Sequence, residues 1–473
     1  MPGLIQETKL FGENIPWLQG LREKGLAAFK RQGLPTAKTE AWKYTRPRDL
    51  NADDFIVEPS NFLAEIRAGL DEAGGCRHAD GNCSCGGHFH KSGCSCGCHD
   101  CSAEQEKGCC QGHEADCGCP EHELDLRTEL PFEAYQIHFV NGKFIPVHPA
   151  LPRGVEIMTL MEAVLTDEAR EYLGRLVDLE HYPFAALNTF YLEEGIYIRI
   201  ARDVELDKPV VFINHSETGA ENLFYNIRNL VVVEAGAAAE FVEYYKYGGD
   251  PKSRYFANIV NEIFVGHGAQ LRHYKLQNDA FKAGHVALNV VRVKEDGRYD
   301  AFALQRGANL GRNETKVSLV GEKAGACVNA AYVMHGWATL DTTTDIEHLA
   351  PCTCSDQLVK GVVGGDAKGV FQGKIHIAPG AVKTEGSQLH KALLLTDTAE
   401  IDVKPELEIF ADDVKCSHGA ASGELDENML FYMQSRGIGY EEARRILIDA
   451  YLEDVINKIG PEEIRGWFRG QVK

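Results

Sequence analysis

VVVEAGAAAEFVEY at residues 231–244, IFVGHGAQLRHYKL at 263–276, RVKEDGRYDAFALQ at 292–305 and LVGEKAGACVNAAYV at 319–333 repeat one theme: an apolar run, a glycine-containing turn and a second apolar run. Their turns align at Gly236, Gly268, Gly297 and Gly325, spaced 32, 29 and 28 residues apart. A strand, turn, strand unit recurring at that interval predicts coils stacked as a solenoid, each burying the apolar face of its neighbour. A β-sandwich of ordinary hairpins is the competing arrangement, and periodicity alone does not separate the two. The β-rich character begins near Val155, and no long helical pattern interrupts it between about 190 and 415.

Working outward, LQGLREKGLAAFKRQG (18–33) spaces Leu18, Leu21, Leu26 and Phe29 as a helix that Gly33 stops. NFLAEIRAGLDEA (61–73) reads the same way, with Phe62, Ile66 and Leu70 four apart. LPTAKTEAWKYTRPRDL (34–50) between them reads as an irregular connection. In FEAYQIHFVNGKFIPV (132–147), Asn141-Gly142 between two strand-like runs predicts a hairpin. Beyond Ser422 the pattern is helical again, in ELDENMLFYMQSRG (424–437) and YEEARRILIDAYLEDVINKIGPEE (440–463). The second of these carries three adjacent apolar stripes: Leu447, Tyr451, Val455 and Ile459; Ile448, Leu452 and Ile456; and Ile446 with Ala450. So wide an arc predicts cover on two sides, by the protein's own body and by either the helix around Met429 or another protein.

Composition narrows the function classes. A chain of 473 residues exceeds a single ordinary core, which predicts two or three structural parts. No apolar run is long enough for a membrane span, and the first residues lack the basic, apolar and small-residue succession of an export signal, so a cytoplasmic location is expected. A net charge of −21 argues against nucleic-acid and anionic-membrane surfaces, which need clustered Lys and Arg. Of the 15 cysteines, 11 fall between Cys76 and Cys119, and in a reducing compartment these are reduced thiols or metal ligands rather than disulfides. The segment from Cys76 to His122 has almost no large apolar residue and cannot build a core. Cys83, Cys85, Cys94, Cys96, Cys98, Cys101, Cys109, Cys110, Cys117 and Cys119 make it a candidate binder of zinc, iron or copper. The spacings are mostly C-x-C, which favours a metallothionein-like tether over a zinc finger, and a merely tolerated loop insertion is the alternative.

A second candidate is DDVKCSHG (412–419). In a strand, residues two apart share a face, so Cys416 and His418 present a thiol and an imidazole side by side. That is half of the four-ligand set a zinc or iron-sulfur centre takes, which suits a transient site or one completed by a partner chain. A buried cysteine beside a turn histidine is the plainer alternative. Cys352 and Cys354 in APCTCSD are two further thiols whose place the sequence leaves open. Phosphate-loop, nucleophile-elbow, metalloprotease and dinucleotide motifs are all missing, and the Asp412-Asp413 pair reads as a turn. A β-solenoid with carboxylates also describes carbohydrate-active enzymes, which are usually exported.

The run TDTAEIDVKPELEIFADDVKCSHGAASGELDENMLFYMQSR (396–436) resembles the SufB/SufD family of the SUF iron-sulfur cluster assembly system, on its SufD side. The resemblance continues through KGVVGGDAKGVFQGKIHI (360–377), DTTTDIEHLAPCTCSDQLVKG (341–361) around His348, FVNGKFIPV (139–147) and LPTAKTEAWKYT (34–45), leaving out the Cys-rich segment. It implies a mainly β protein, a right-handed parallel β-helix flanked by α-helical N- and C-terminal regions. The expected division is a helical region over 1–75, a flexible Cys/His-rich insertion over 76–123, a mixed α/β connection over 124–190, the β-helix core over 191–422 and C-terminal helices over 423–473. The resemblance further implies a non-catalytic scaffold subunit that forms a heterodimer with SufB and contacts the ATPase SufC through its C-terminal helices. His418 is then implied as a ligand of a nascent Fe-S cluster shared with SufB, with Cys416 second. A homodimer and reduced flavin in the complex stay open, and a metal buffer built on the insertion is the alternative function.

Overall fold

The computed structural model describes residues 4–6, 10–36, 38–45, 47, 55–57, 130–145, 149–216, 222–248 and 253–472. The helix expected over 61–73 and the Cys/His-rich segment lie outside these residues. Two ten-stranded sheets dominate, and from Ile196–Ile200 onward successive strands of the chain alternate between them. Neighbours within a sheet are therefore every second strand of the chain, and their pairing is parallel from Ile196–Ile200 and Tyr135–Val140 onward. This is a parallel β-solenoid with helices at both ends of the chain, not a sandwich of hairpins.

Register explains how the coils stay stacked. The residue that turns the chain from the first sheet to the second adopts the left-handed conformation, with φ between 53° and 70° at Gly236, Gly268, Asp296, Lys323 and Cys352. The backbone N–H of each donates to the carbonyl of the residue just before its counterpart one coil later, as in Gly236 to His267 (2.9 Å) and Cys352 to Val382 (2.9 Å). The turn glycines thus mark this column only in the earlier coils. Asp296, not Gly297, occupies it in the third, and Gly325 is the first residue of the strand Gly325–Met334. Asp is among the residues that tolerate this conformation best after Gly, whereas Lys323 and Cys352 are held in it by the stack.

In the early and middle coils each sheet is covered on both faces. Inside the solenoid, Ile227, Ile259, Leu271, Tyr299, Val317 and Ile346 meet in one cluster. On the outer face of the first sheet, Phe224, Phe256 and Val286 pack against Phe29, Trp42 and Phe184 of the N-terminal part. The outer face of the second sheet packs Tyr274, Phe302 and Leu304 against Leu452, Ile456 and Phe468 of the C-terminal helices. Double cover is why the strands read as continuous apolar runs rather than alternating ones. The N-terminal segment is also fixed electrostatically. Arg312 and Asp341, both fully buried, form an ion pair to which Thr45 Oγ1 donates, and the Arg312 guanidinium stacks 4.6 Å over Trp42.

The expected hairpin at Asn141-Gly142 forms between Tyr135–Val140 and Lys143–Phe144, with both turn residues at positive φ. The helix over 18–33 spans Pro16–Gln32 and ends at Gly33, and the C-terminal pattern resolves into Glu427–Ser435, Tyr440–Ile456 and Glu462–Gln471. Of the wide apolar arc, Leu452, Val455, Ile456 and Ile459 bury against the second sheet. The helix Glu427–Ser435 packs on Tyr440–Ile456 but leaves Ile446 exposed. No described helix is long and apolar enough to cross a membrane.

Candidate functional site at the open end of the solenoid

The last coil consists of Glu400–Ile409 in the first sheet and Lys415–Gly423 in the second, joined by a turn at Asp412-Asp413. The run PELEIFADDVKCSHG is therefore two strands and a corner rather than a single strand, with Asp413 at φ 54°. Both strands are the last in their sheets. Cys416 pairs with Gly386 and His418 with Gln388. Gly386 and Gln388 face the solenoid interior, so Cys416 and His418 do too, separated by about 6.6 Å of strand rise.

That interior is not closed above them. Ile375 and Ile377 in the preceding coil are completely buried, but their ladder partners Leu407 and Ile409 are only half-buried and 42% exposed, respectively. His418 is exposed and Cys416 half-buried. Burial pushes the Cys416 thiol up, with a backbone hydrogen bond involving Gly386 acting against it. Phe410 beside this end is 60% exposed.

Directly beneath His418 lies the amide of Gln388, which is buried and has no hydrogen-bond partner on either amide atom. Gly373 leaves it room, since a Cβ there would meet the Gln388 Nε2. Deeper in, His390 Nε2 and the Tyr332 hydroxyl are 2.7 Å apart, and the ring stacks on Phe371. His348 bonds Thr353 Oγ1 at 2.8 Å and Ser355 Oγ at 2.9 Å. Burial pushes both His348 and His390 down to about 4, so both are neutral near pH 7. The interior below the open end is thus lined by polar but uncharged groups.

Cys416 also borders a groove on the second sheet that sequence reasoning did not find. Cys327 and Cys354 join it there, with Arg298, Asp356, Glu385 and Lys415. The only available signal was cross-coil register, which sets Cys327 beside Asp356 and Cys354 beside Glu385. The carboxylates are already occupied, Asp356 by Lys458 (3.1 Å) and Glu385 by Lys415 (2.6 Å). Burial and the neighbouring Asp300 carboxylate push the Cys327 thiol up to about 11. The Cys327 thiol is therefore protonated near pH 7 in the isolated chain. Cys352 and Cys354 part company: Cys352 sits in the turn column and Cys354 on the exposed face of the strand. The described residues hold one group of three potential ligands within mutual reach, His267, Glu295 and Asp296, and neither Cys416 nor His418 belongs to it. The cysteines from Cys83 to Cys119 lie outside the described residues.

The sequence matches the SUF system FeS cluster assembly SufBD core domain over residues 215–451 and the SufBD protein N-terminal region over 5–71 and 129–212. The N-terminal match skips the stretch that contains the Cys/His-rich segment. Among similar proteins, an iron-sulfur cluster assembly SufBD family protein of Synechocystis is 31% identical, covering 71% of this chain and 77% of the relative. The iron-sulfur cluster assembly protein SufD of Escherichia coli is 29% identical over 71% of this chain and 78% of its own. SufD of Bacillus subtilis is 28% identical, over 69% and 76%. The solenoid, its helical flanks and these matches together make the chain a member of the SufBD family, whose role is iron-sulfur cluster assembly in the SUF system.

Proposed function

We propose that the chain is a SufD-like, non-catalytic subunit of a cytoplasmic SUF scaffold, in which its open solenoid end pairs with a SufB-type chain and a nascent cluster is built across the join. The observation that carries this reading is the uncovered last coil: two long strands with unpaired edges, half-exposed inward apolar residues and an exposed imidazole on the same face. Unpaired strands of that length are templates for another chain, and a solenoid end without a polar cap calls for cover. A homologous solenoid end supplies matching strands, which gives backbone hydrogen bonds and apolar cover together. His418 then supplies an imidazole ligand to the nascent cluster, the partner supplies thiolate, and Cys416 is a second ligand once deprotonated at the metal.

The C-terminal helices fit the second partner, a SufC-type ATPase. Phe431 is 74% exposed, and Met429, Tyr432, Tyr440 and Ile446 are exposed around it, a patch left uncovered by the described residues. In this reading ATP is hydrolysed on that partner, and movement of the helices opens the join to iron and sulfide.

Copurification tests the pairing. Leu407→Arg places a charge on the inward face of the last coil and is expected to abolish copurification with a SufB-type partner while the chain itself stays folded. Retention of the partner by a folded Leu407→Arg chain would remove the open end from the interface.

A further inference from the structure

A cavity of about 710 Å³ opens at the C-terminal ends of the first-sheet strands Leu223–Val233, Tyr255–Val265 and Gly284–Val293. Its size is that of an ordinary small-molecule site. The floor is apolar. Val232 and Phe264 are ladder neighbours, and Tyr172, at the end of the helix Asp167–Tyr172, stands edge-on to Phe264 at 4.9 Å. Gly266 lets adjacent turns of the lining pack closely, because a Cβ there would lie 2.7 Å from the Ala235 nitrogen.

Four cations converge on this floor: Arg175 from the turn after that helix, Arg202 from the loop before the strand Val210–Ser216, and Arg292 and Lys294 from the end of Gly284–Val293 and its turn. Each is exposed, and none forms an ion pair with a described carboxylate. The lining has two carboxylates, Glu171 and Glu234. Glu234 is already taken by Arg199 at 2.6 Å and by the backbone N–H of Arg202 at 2.9 Å. His267 at the rim leans toward Glu295, 3.8 Å away. The cavity thus carries an excess of positive charge on a chain whose net charge is −21. Single unpaired arginines are ordinary on a surface. Four drawn from three segments around one concave apolar floor repel one another, a repulsion that an anion between them relieves, and a concave low-dielectric wall concentrates their field.

We infer that this cavity binds a small organic polyanion, a molecule with two or more carboxylate or phosphate groups held by Arg175, Arg202, Arg292 and Lys294 and a flat or aliphatic body resting on Val232, Phe264 and Tyr172. The guanidinium fork suits either oxyanion. The inference stands apart from the cluster site and does not depend on it.

Isothermal titration of the full chain with citrate and with pyrophosphate tests it and separates the two anion types. Saturable binding of at least one is expected near physiological salt, weakening as salt rises. The double substitution Arg292→Ala, Lys294→Ala is expected to weaken binding at least about ten-fold without changing the melting temperature, while Lys282→Ala leaves it unchanged. Absence of saturable binding by either anion would overturn the inference, as would equal binding by the double variant. Tighter binding of a poly-glutamate peptide than of both small anions would also overturn it, in favour of a protein ligand.

Discussion

The two ends of the solenoid are finished differently. At the first end, the sheets stop on short antiparallel strands: Val155–Thr159 against Ile196–Ile200, and the two-residue Lys143–Phe144 of the hairpin. At the last end, they stop on parallel strands of ten and nine residues, Glu400–Ile409 and Lys415–Gly423, with nothing further paired to them among the described residues. Short, reversed edges deny a template to other chains, and long parallel edges offer one. The molecule blunts one end and keeps the other available, and the available end is where the proposed cluster site lies.

Substitutions at the covered and open coils should have different consequences. The largest effect is expected at the buried pair that ties the N-terminal segment to the middle coils. Asp341→Ala removes the buried carboxylate that Arg312 and Thr45 share, leaving Glu314 at 2.9 Å as the remaining partner of the guanidinium, and should still cost about 3 kcal/mol in urea unfolding. Next, Ile375→Ala in the closed coil should cost about 2–5 kcal/mol, whereas Leu407→Ala one coil later should cost under about 1 kcal/mol in the isolated chain. Equal costs at the two positions would mean that the last coil is covered after all.

A smaller, graded effect should follow pH. His348 and His390 have folded values near 4 against an ordinary 6.5, so the unfolded chain binds their protons first. Their contribution to stability is complete above about pH 6.5 and is lost progressively as pH falls toward 4, at up to about 1.4 kcal/mol per pH unit for each. The urea midpoint measured across that window should fall, and replacing His390 by Gln should flatten the slope.

Much of this was legible in the sequence, for identifiable reasons. Strand, turn, strand repetition pointed to stacked coils, and Asn141-Gly142 to its hairpin. The turn column was blurred because its conformation is carried by Asp296, Lys323 and Cys352 as well as by glycine, so glycine spacing tracked it only in part. Cys416 and His418 were readable as one face of one strand, but their exposure was not, because it arises from the missing next coil. The cationic cavity left no motif, since its residues come from separate segments that only coil stacking brings together. The same is true of Cys327 and Cys354, which border one groove from neighbouring coils.

The central claim is that the exposed imidazole at the open end takes part in cluster assembly. Anaerobic cluster formation, read as iron, sulfide and visible absorption, should be compared between complexes copurified with the SufB-type and SufC-type partners, one carrying the wild-type chain and one His418→Ala. A large loss of cluster with all three subunits retained is the predicted result. Unchanged iron and sulfide in an intact His418→Ala complex would contradict it.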